Sequence, residues 1–482
     1  KEGFEPMEKM NWNAASVRMA AASIVSALVA AGVVWMWTGV YLPGAGLSIS
    51  LLLVLLAGLL AGGRRPRGTR EWLLVAACAL ENLTFFFFMS TSLRLVNLPV
   101  AAGLTALTLF SLNGRLNHGA AEAGALGETL RILPRACVRY IPVPFRALPR
   151  ARLSTGIVVG LIISVPVLAV AMLLLCSADA VFEGMFTGLL NRLYEADVWA
   201  LLVKPLLFLL LGLIAFSFLY AQKALERLPE REAKPPFPTG ALATPMLLLC
   251  ALYALFAAVQ FIYLFGGREA AAMRGGYAQY ARNGFFELVV ICALNLLLAG
   301  LAVRRSGGAR VVRAAAVGMY AFTAVMLASS AWRMSLYTAR FGLSFLRLIT
   351  YWGIFAMAAV TLAAAWHAVR PETRTWGAAF AVIVASWLLF AYANPEGVIA
   401  AYNVRRAGAK VDVEYLSGLS PDALAALKPL AKENAWAGVA VNRIGDGYRD
   451  ISAYEWSLTC RLLPETAAEP IPEGESPSVG DE

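Results

Sequence analysis

Two acidic residues stand in stretches otherwise fit for lipid, and their neighbours limit the chemistry they could perform. Glu287 enters a long apolar run through "YAQYARNGFFEL" (277–288). At about 100° per residue, Tyr277, Tyr280, Glu287 and Asn295 share one helical face, while Arg282 points away from it. Phenols, a carboxylate and an amide in one stripe could line an outward-facing polar pocket or could clamp this helix to its neighbours. A lipid-facing carboxylate is costly, so the stripe must face other helices or a wet cavity. Arg333, Arg340 and Arg347 flank the next connection on the same side and are the expected ion-pair partners. The clamp is the plainer of the two readings, because buried pairs often specify packing without chemistry.

The second acidic residue is Glu81, followed by Asn82. Counted from Trp72 it lies about 13 Å along its helix, near the midplane of a hydrocarbon core about 30 Å thick. No basic residue lies within a turn of it. Desolvation at that depth favours the neutral carboxyl, able to donate a hydrogen bond. A proton-coupled carrier would use such a group, and a plain interhelical hydrogen bond would look the same.

Other chemistries lack their residues. His118 and His367 stand alone, and the six cysteines are scattered without a CxxC pair, so neither a metal nor a cofactor is expected. No nucleophile elbow, HExxH or phosphate-binding loop occurs, which leaves an enzyme the weakest class.

The elements that must position these groups are spans. Hydrophobic residues make up 59% and charged residues 15% of the 482, with a mean hydropathy of +0.66, which is the balance of an integral membrane protein. Eleven runs are long enough to cross as helices: 17–37, 47–62, 72–92, 95–112, 155–177, 199–220, 245–265, 284–303, 311–331, 346–368 and 375–393. The expected class is therefore an all-α, polytopic bundle over residues 17–393, after an N-terminal tail of 1–16. The first run lacks a small-residue cleavage site and reads as a retained span.

The net charge of +10 is gathered in alternate connections, such as Arg64 to Arg70, Lys223 to Lys234 and Arg304 to Arg313. That pattern predicts orientation and lipid contact rather than nucleic-acid binding, with a cytoplasmic N-terminus and an extracytoplasmic C-terminus. The longest basic connection, 113–154, mixes arginines with leucines. It is expected to lie along anionic headgroups, broken by Pro134, Pro142, Pro144 and Pro149. The acidic connection around Asp179, Glu183, Glu195 and Asp197 reads as a solvated face.

Beyond the last run, Asn394–Pro395 ends the bundle and "EGVIAAYNVRR" reads as a short helix along the interface. "LSPDALAALKPL" carries a helix start, with Ser420 as N-cap, Pro421 first and Asp422 in the first turn. A further helix is expected over 450–463, after a Gly-rich turn at 445–447. Residues 394–463 thus form a small helical cap, followed by a Pro-, Glu- and Ser-rich tail over 464–482 expected to be disordered.

Three stretches together are similar to a known family: "YAQYARNGFFEL" with Asn295, "YTARFGLSFLRL" (337–348), and "NPEGVIAAYNVRR" continuing through "VDVEYLSGLSPDALAAL" to residue 427. They resemble the bacterial polytopic membrane proteins classed as domain of unknown function 4173, related to 4153. The most specific part is N-P-x-x-x-I-A-x-Y-N, with Asn394, Pro395, Tyr402 and Asn403. The resemblance implies an inner-membrane location and this topology, and no activity.

Three functions compete on these grounds. An envelope sensor, scaffold or regulatory subunit would bind a membrane or envelope partner through the cap and the outer pocket. A proton-coupled transporter of small solutes would use Glu81 and Asn295. An intramembrane transferase would need a reactive geometry that spacing does not show. The cap motif and the missing repeated halves favour the first.

Overall fold

The computed structural model describes residues 43–63, 65–143, 155–195, 204–227, 229, 235–265, 285–373, 375–407, 412–432, 434–449, 451 and 455–464. Among the described residues every regular element is helical, as lipid requires of runs whose backbone groups must be satisfied within the segment. In chain order these are α1 (Ala45–Gly62), α2 (Thr69–Phe87), α3 (Thr91–Leu112), α4 (Ala123–Val138), α5 (Thr155–Ala178), α6 (Ala180–Glu195) and α7 (Lys204–Ala224). Then follow α8 (Thr239–Phe265), α9 (Phe285–Arg305), α10 (Arg310–Phe341), α11 (Phe345–Val369) and α12 (Thr375–Tyr392). Short elements close the chain: α13 (Pro395–Ala407), α14 (Val413–Ser417), a 3-10 turn (Pro421–Ala423), α15 (Leu424–Leu430), α16 (Ala435–Gly447) and a second 3-10 turn (Leu458–Leu462).

Eight of the described helices, α1, α3 and α7 to α12, are long and apolar enough to cross a bilayer. The polar residues of α2, including Glu71 and Glu81, leave it outside that set. It nevertheless packs between α1 and α3, and its 19 residues reach about 28 Å. The protein is an all-α polytopic membrane protein.

The helices gather into two packed groups. In the first, α1, α2, α3, α4 and α7 enclose Leu55, Cys78, Leu109, Phe110, Ile132 and Leu219. In the second, α8 to α11 close over Met246, Ala299, Ala316, Met319 and Ala364, small residues letting the backbones approach. Helix α12 joins the groups, packing on α11 and on α2. At 32 residues α10 is about 48 Å long, well over a core of about 30 Å, and its C-terminal turn meets the C-terminal helices, where Arg340 O accepts from Arg406.

The far end is tied together by polar side chains. Arg115 donates to the carbonyls of Gln222 (2.9 Å), Lys223 (2.8 Å) and Leu225 (2.6 Å), ending α7. Asn113 donates to Gly58 O at 3.3 Å and Gln222 Oε1 at 3.1 Å. The basic groups Arg65 to Arg70, Lys223 with Arg227, and Arg304 to Arg313 all lie at this end, opposite the C-terminal helices.

Several local expectations give way. Pro134 does not break the long basic connection: it sits inside α4, where the helix gives up the one hydrogen bond its ring cannot donate. The acidic connection is helical from Ala180 to Glu195. The glycines at 445 and 447 end α16 rather than forming a separate turn, and within 450–463 the described regular structure is only the 3-10 turn Leu458–Leu462. The expected first span, both terminal tails, Tyr277, Tyr280 and Arg282 lie outside the described residues.

Candidate functional site

The turn from α2 to α3, residues Phe88 to Ser90, leaves backbone donors and acceptors that so short a connection cannot satisfy itself. The C-terminal helices, here called the cap, supply the partners. Ser420 opens the first 3-10 turn by accepting from Asp422 N. Asp422 then accepts through Oδ1 from Met89 N at 2.7 Å and Thr459 Oγ1 at 2.5 Å, and through Oδ2 from Ser90 N at 2.8 Å.

Glu396, in the first turn of α13, accepts from Ser90 Oγ at 2.5 Å and from Ser420 N at 2.7 Å. Arg94, one turn into α3, reaches back to the carbonyls of Phe88 (2.9 Å) and Phe85 (3.3 Å) and across to Glu455 O (3.3 Å). It thereby caps the C-terminus of α2 with a cation, where the helix dipole favours one. Exposure is 0% at Ser90, 2% at Arg94, 6% at Glu396 and 1% at Asp422, so water cannot replace these bonds if one partner is lost.

Burial pushes the Glu396 carboxyl above the ordinary range, and the neighbouring Asp422 charge pushes it further. Burial also raises Asp422, against the opposing pull of the Met89 and Ser90 amides, the Thr459 hydroxyl and the Arg94 guanidinium. The arrangement is a latch made of two acids, a serine and an arginine, closed over a membrane hairpin.

The cap also grips two more chain ends. Asn403 holds Leu343 on both sides, accepting from its N–H at 2.8 Å and donating to its carbonyl at 2.9 Å. Arg406 donates to Arg340 O at 2.7 Å, so α13 is stapled to the connection between α10 and α11. At the start of α1, Ala45 N donates to Trp456 O at 2.9 Å, which satisfies one of the helix's first amides. Asn394 turns the chain from α12 into the cap with φ of 55°, a conformation asparagine tolerates. Its amide donates to Asp422 O at 2.7 Å and accepts from Gly397 N at 3.0 Å. Pro395 follows, buried, as the first residue of α13, and Tyr402 is 36% exposed on its outer face.

The stripe through Glu287 is divided. Asn295 is buried, accepting from Tyr253 Oη at 2.7 Å and donating to Thr323 Oγ1 at 3.2 Å, and Thr323 donates to Met319 O at 2.8 Å. This is a satisfied ladder across α8, α9 and α10. Glu287 faces outward with Val290 and Leu294, and no ion pair among the described residues includes it.

None of the three expected partners forms an ion pair with Glu287 among the described residues. Arg347 lies 4.5 Å over the Tyr337 ring and donates to the carbonyls of Phe341 and Gly342. Arg340 is exposed, and Arg333 is buried on α10. A one-residue shift of face decides this: the buried row of α9 runs Leu288, Cys292, Asn295, Ala299, which leaves Glu287 on the rim.

Glu81 is enclosed between α2 and α12. Its Oε2 accepts from Trp387 Nε1 at 3.1 Å, while Oε1 is buried without a donor. Asn82 donates to Thr105 Oγ1 at 3.4 Å and Asn97 to Thr84 Oγ1 at 2.9 Å, and the carbonyl oxygens of both amides are likewise buried without a donor. Among the described residues no group of His, Cys, Asp and Glu is placed to hold a metal ion, and all six cysteines are free thiols.

The sequence matches the model of the family described as domain of unknown function (DUF4153) over residues 30–430. The chain belongs to this family. The matched region of this DUF4153 protein takes in the bundle, Glu396, Asn403 and Asp422, and stops short of Thr459 and Trp456. No curated protein and no solved structure matches the chain.

The family resemblance marks Asn394, Pro395, Tyr402 and Asn403 and gives no role to Glu396, Ser90 or Arg94, while local spacing places Asp422 only in the first turn of a cap helix. One signal is readable for Arg94 and Glu396, each a charge set at the edge of an apolar run. Nothing in the sequence pairs Asp422 with an amide 333 positions away.

Proposed function

We propose that this protein is a scaffold or regulatory subunit of a bacterial inner membrane, whose extracytoplasmic cap reads or fixes the arrangement of the spans. The observation that carries the reading is the latch: Glu396 and Asp422 hold the α2–α3 turn while Asn403 holds the α10–α11 turn, so one small element bridges both helix groups. A change at the cap surface, such as a partner binding beside exposed Tyr402, would be felt in both groups at once. The basic end opposite the cap is the cytoplasmic end in this reading. The likeness of the cap motif to the related 4173 group belongs to the same proposal.

A second reading, proton-coupled transport, is favoured by one observation, the unpaired Glu81 oxygen at mid-bilayer depth. A cellular phenotype of the deletion strain separates the two. Under the scaffold reading Asp422→Ala and Asn403→Ala fail to restore it and Glu81→Gln restores it fully. The reverse pattern sinks the scaffold reading in favour of transport. A periplasm-active reporter fused after residue 463 should be active, and activity only from a cytoplasmic reporter would overturn the orientation.

A further inference from the structure

At the end opposite the cap, α4 presents two adjacent rows to the outside. One is apolar: Leu126, Leu130, Pro134 and Val138, spaced by four, with Leu126 and Leu130 about three-fifths exposed. The other, one residue further round, is basic: Arg131, Arg135 and Arg139, also spaced by four and all exposed. At about 100° per residue the two rows fill neighbouring sectors of the helix.

The remaining face is anchored in protein. Ala125, Thr129, Ile132 and Ala136 are buried against α3 and α7. Ser217 on α7 donates to Ala136 O at 2.7 Å and accepts from Tyr140 N at 3.0 Å. Glu128 accepts from Asn117 N at 2.9 Å and contacts His118 Nδ1 at 2.9 Å, fixing the entry to the helix. The two outward rows are therefore held rigidly and cannot roll inward.

The geometry points to a binding site for anionic phospholipid on this face of α4, the leucine row lying on acyl chains and the arginine row on the headgroup phosphate. Three features select that occupant. An exposed apolar row at the edge of a membrane bundle meets lipid rather than water. Guanidinium groups one helical turn apart suit phosphate oxygens, which they grip in a planar fork. None of the ion pairs among the described residues uses these arginines, and although the Arg139 guanidinium lies 6.0 Å over the Tyr140 ring, no carboxylate offsets their charge. A free phosphate would engage the arginines but gain nothing from the leucines, which separates the two sources.

The test is native mass spectrometry of the full chain titrated in detergent with phosphatidylglycerol or with phosphatidylcholine. The parent protein should retain phosphatidylglycerol at least about fivefold better, since each basic residue near an anionic surface adds a separate attraction. The variant R131Q/R135Q/R139Q should fall to the phosphatidylcholine level with unchanged thermal stability, because all three side chains are exposed. The pair L126Q/L130Q should weaken retention with the arginines intact. Full retention by the arginine variant would overturn the proposal. So would an equal loss in R65Q/R67Q/R310Q, which removes the same charge elsewhere on that end, or displacement by inorganic phosphate together with an unaffected leucine variant.

Discussion

Asp422→Ala should detach the cap from the α2–α3 turn, and its cost can be worked from three bonds. The side chain accepts from Met89 N, Ser90 N and Thr459 Oγ1, all within 2.8 Å, at a site 1% exposed. Each buried donor left without an acceptor costs about 1–3 kcal/mol, and removing a buried carboxylate returns part of that. A net loss of about 3–5 kcal/mol in latch stability follows. Asp422→Asn keeps the oxygen that serves Met89 and Thr459 but turns an N–H toward Ser90 N, so it should lose about 1–2 kcal/mol. Hydrogen exchange on the purified protein reads this directly. In the alanine variant the Met89 and Ser90 amides should exchange roughly 100- to 3,000-fold faster, at about 1.4 kcal/mol per decade. Amides of the far end, such as Asn113, should be unchanged. Parent-like exchange at Met89 and Ser90 in the alanine variant, or an asparagine variant worse than alanine, would refute the reasoning.

Other outcomes follow from the same geometry. Because burial and then Asp422 raise the Glu396 carboxyl above 4.5, the folded latch binds its proton more tightly than the unfolded chain. The stability this group adds is full below pH 4.5 and is lost as pH rises through its raised value. Melting temperature should therefore fall from mildly acidic toward neutral pH, and Glu396→Gln, which still accepts from Ser420 N, should flatten that slope; an unchanged slope rejects the assignment. Gly342→Ala should cost about 2 kcal/mol or more, because φ of 77° with ψ of −177° suits only glycine and the new Cβ would lie 2.6 Å from Asn403 Oδ1. Its readout is faster proteolysis between α10 and α11, and unaltered cleavage contradicts it. Glu81→Gln should leave thermal stability within about 0.5 kcal/mol of the parent, since the amide has the same shape and its oxygen still accepts from Trp387. Glu81→Leu strands the indole N–H and should cost about 1–3 kcal/mol; equal losses in both variants would show that the carboxyl itself is needed.

Hydropathy determined where the helices run, because the need to satisfy every backbone group within lipid admits one local answer for an apolar run of that length. Each of the ten expected spans that fall within the described residues coincides with a helix, although the third, 72–92, overruns its helix into the Phe88–Ser90 turn. Cap residues around Ser420 were also readable, since an N-cap and an N1 proline act within one turn. Which polar residues meet was not. Glu287 and Asn295 share a face by periodicity, yet packing of α9 against α8 and α10 turns only Asn295 inward. Asp422 finds Met89 and Ser90, and Asn403 finds Leu343, through contacts across 333 and 60 positions that no local period encodes. The sequence by itself determined the spans and the charges set in and beside them; the tertiary fold alone decided which polar groups are latched, which are satisfied in passing and which face outward, because a buried polar group is placed by whatever partner the packing brings within 3 Å or so.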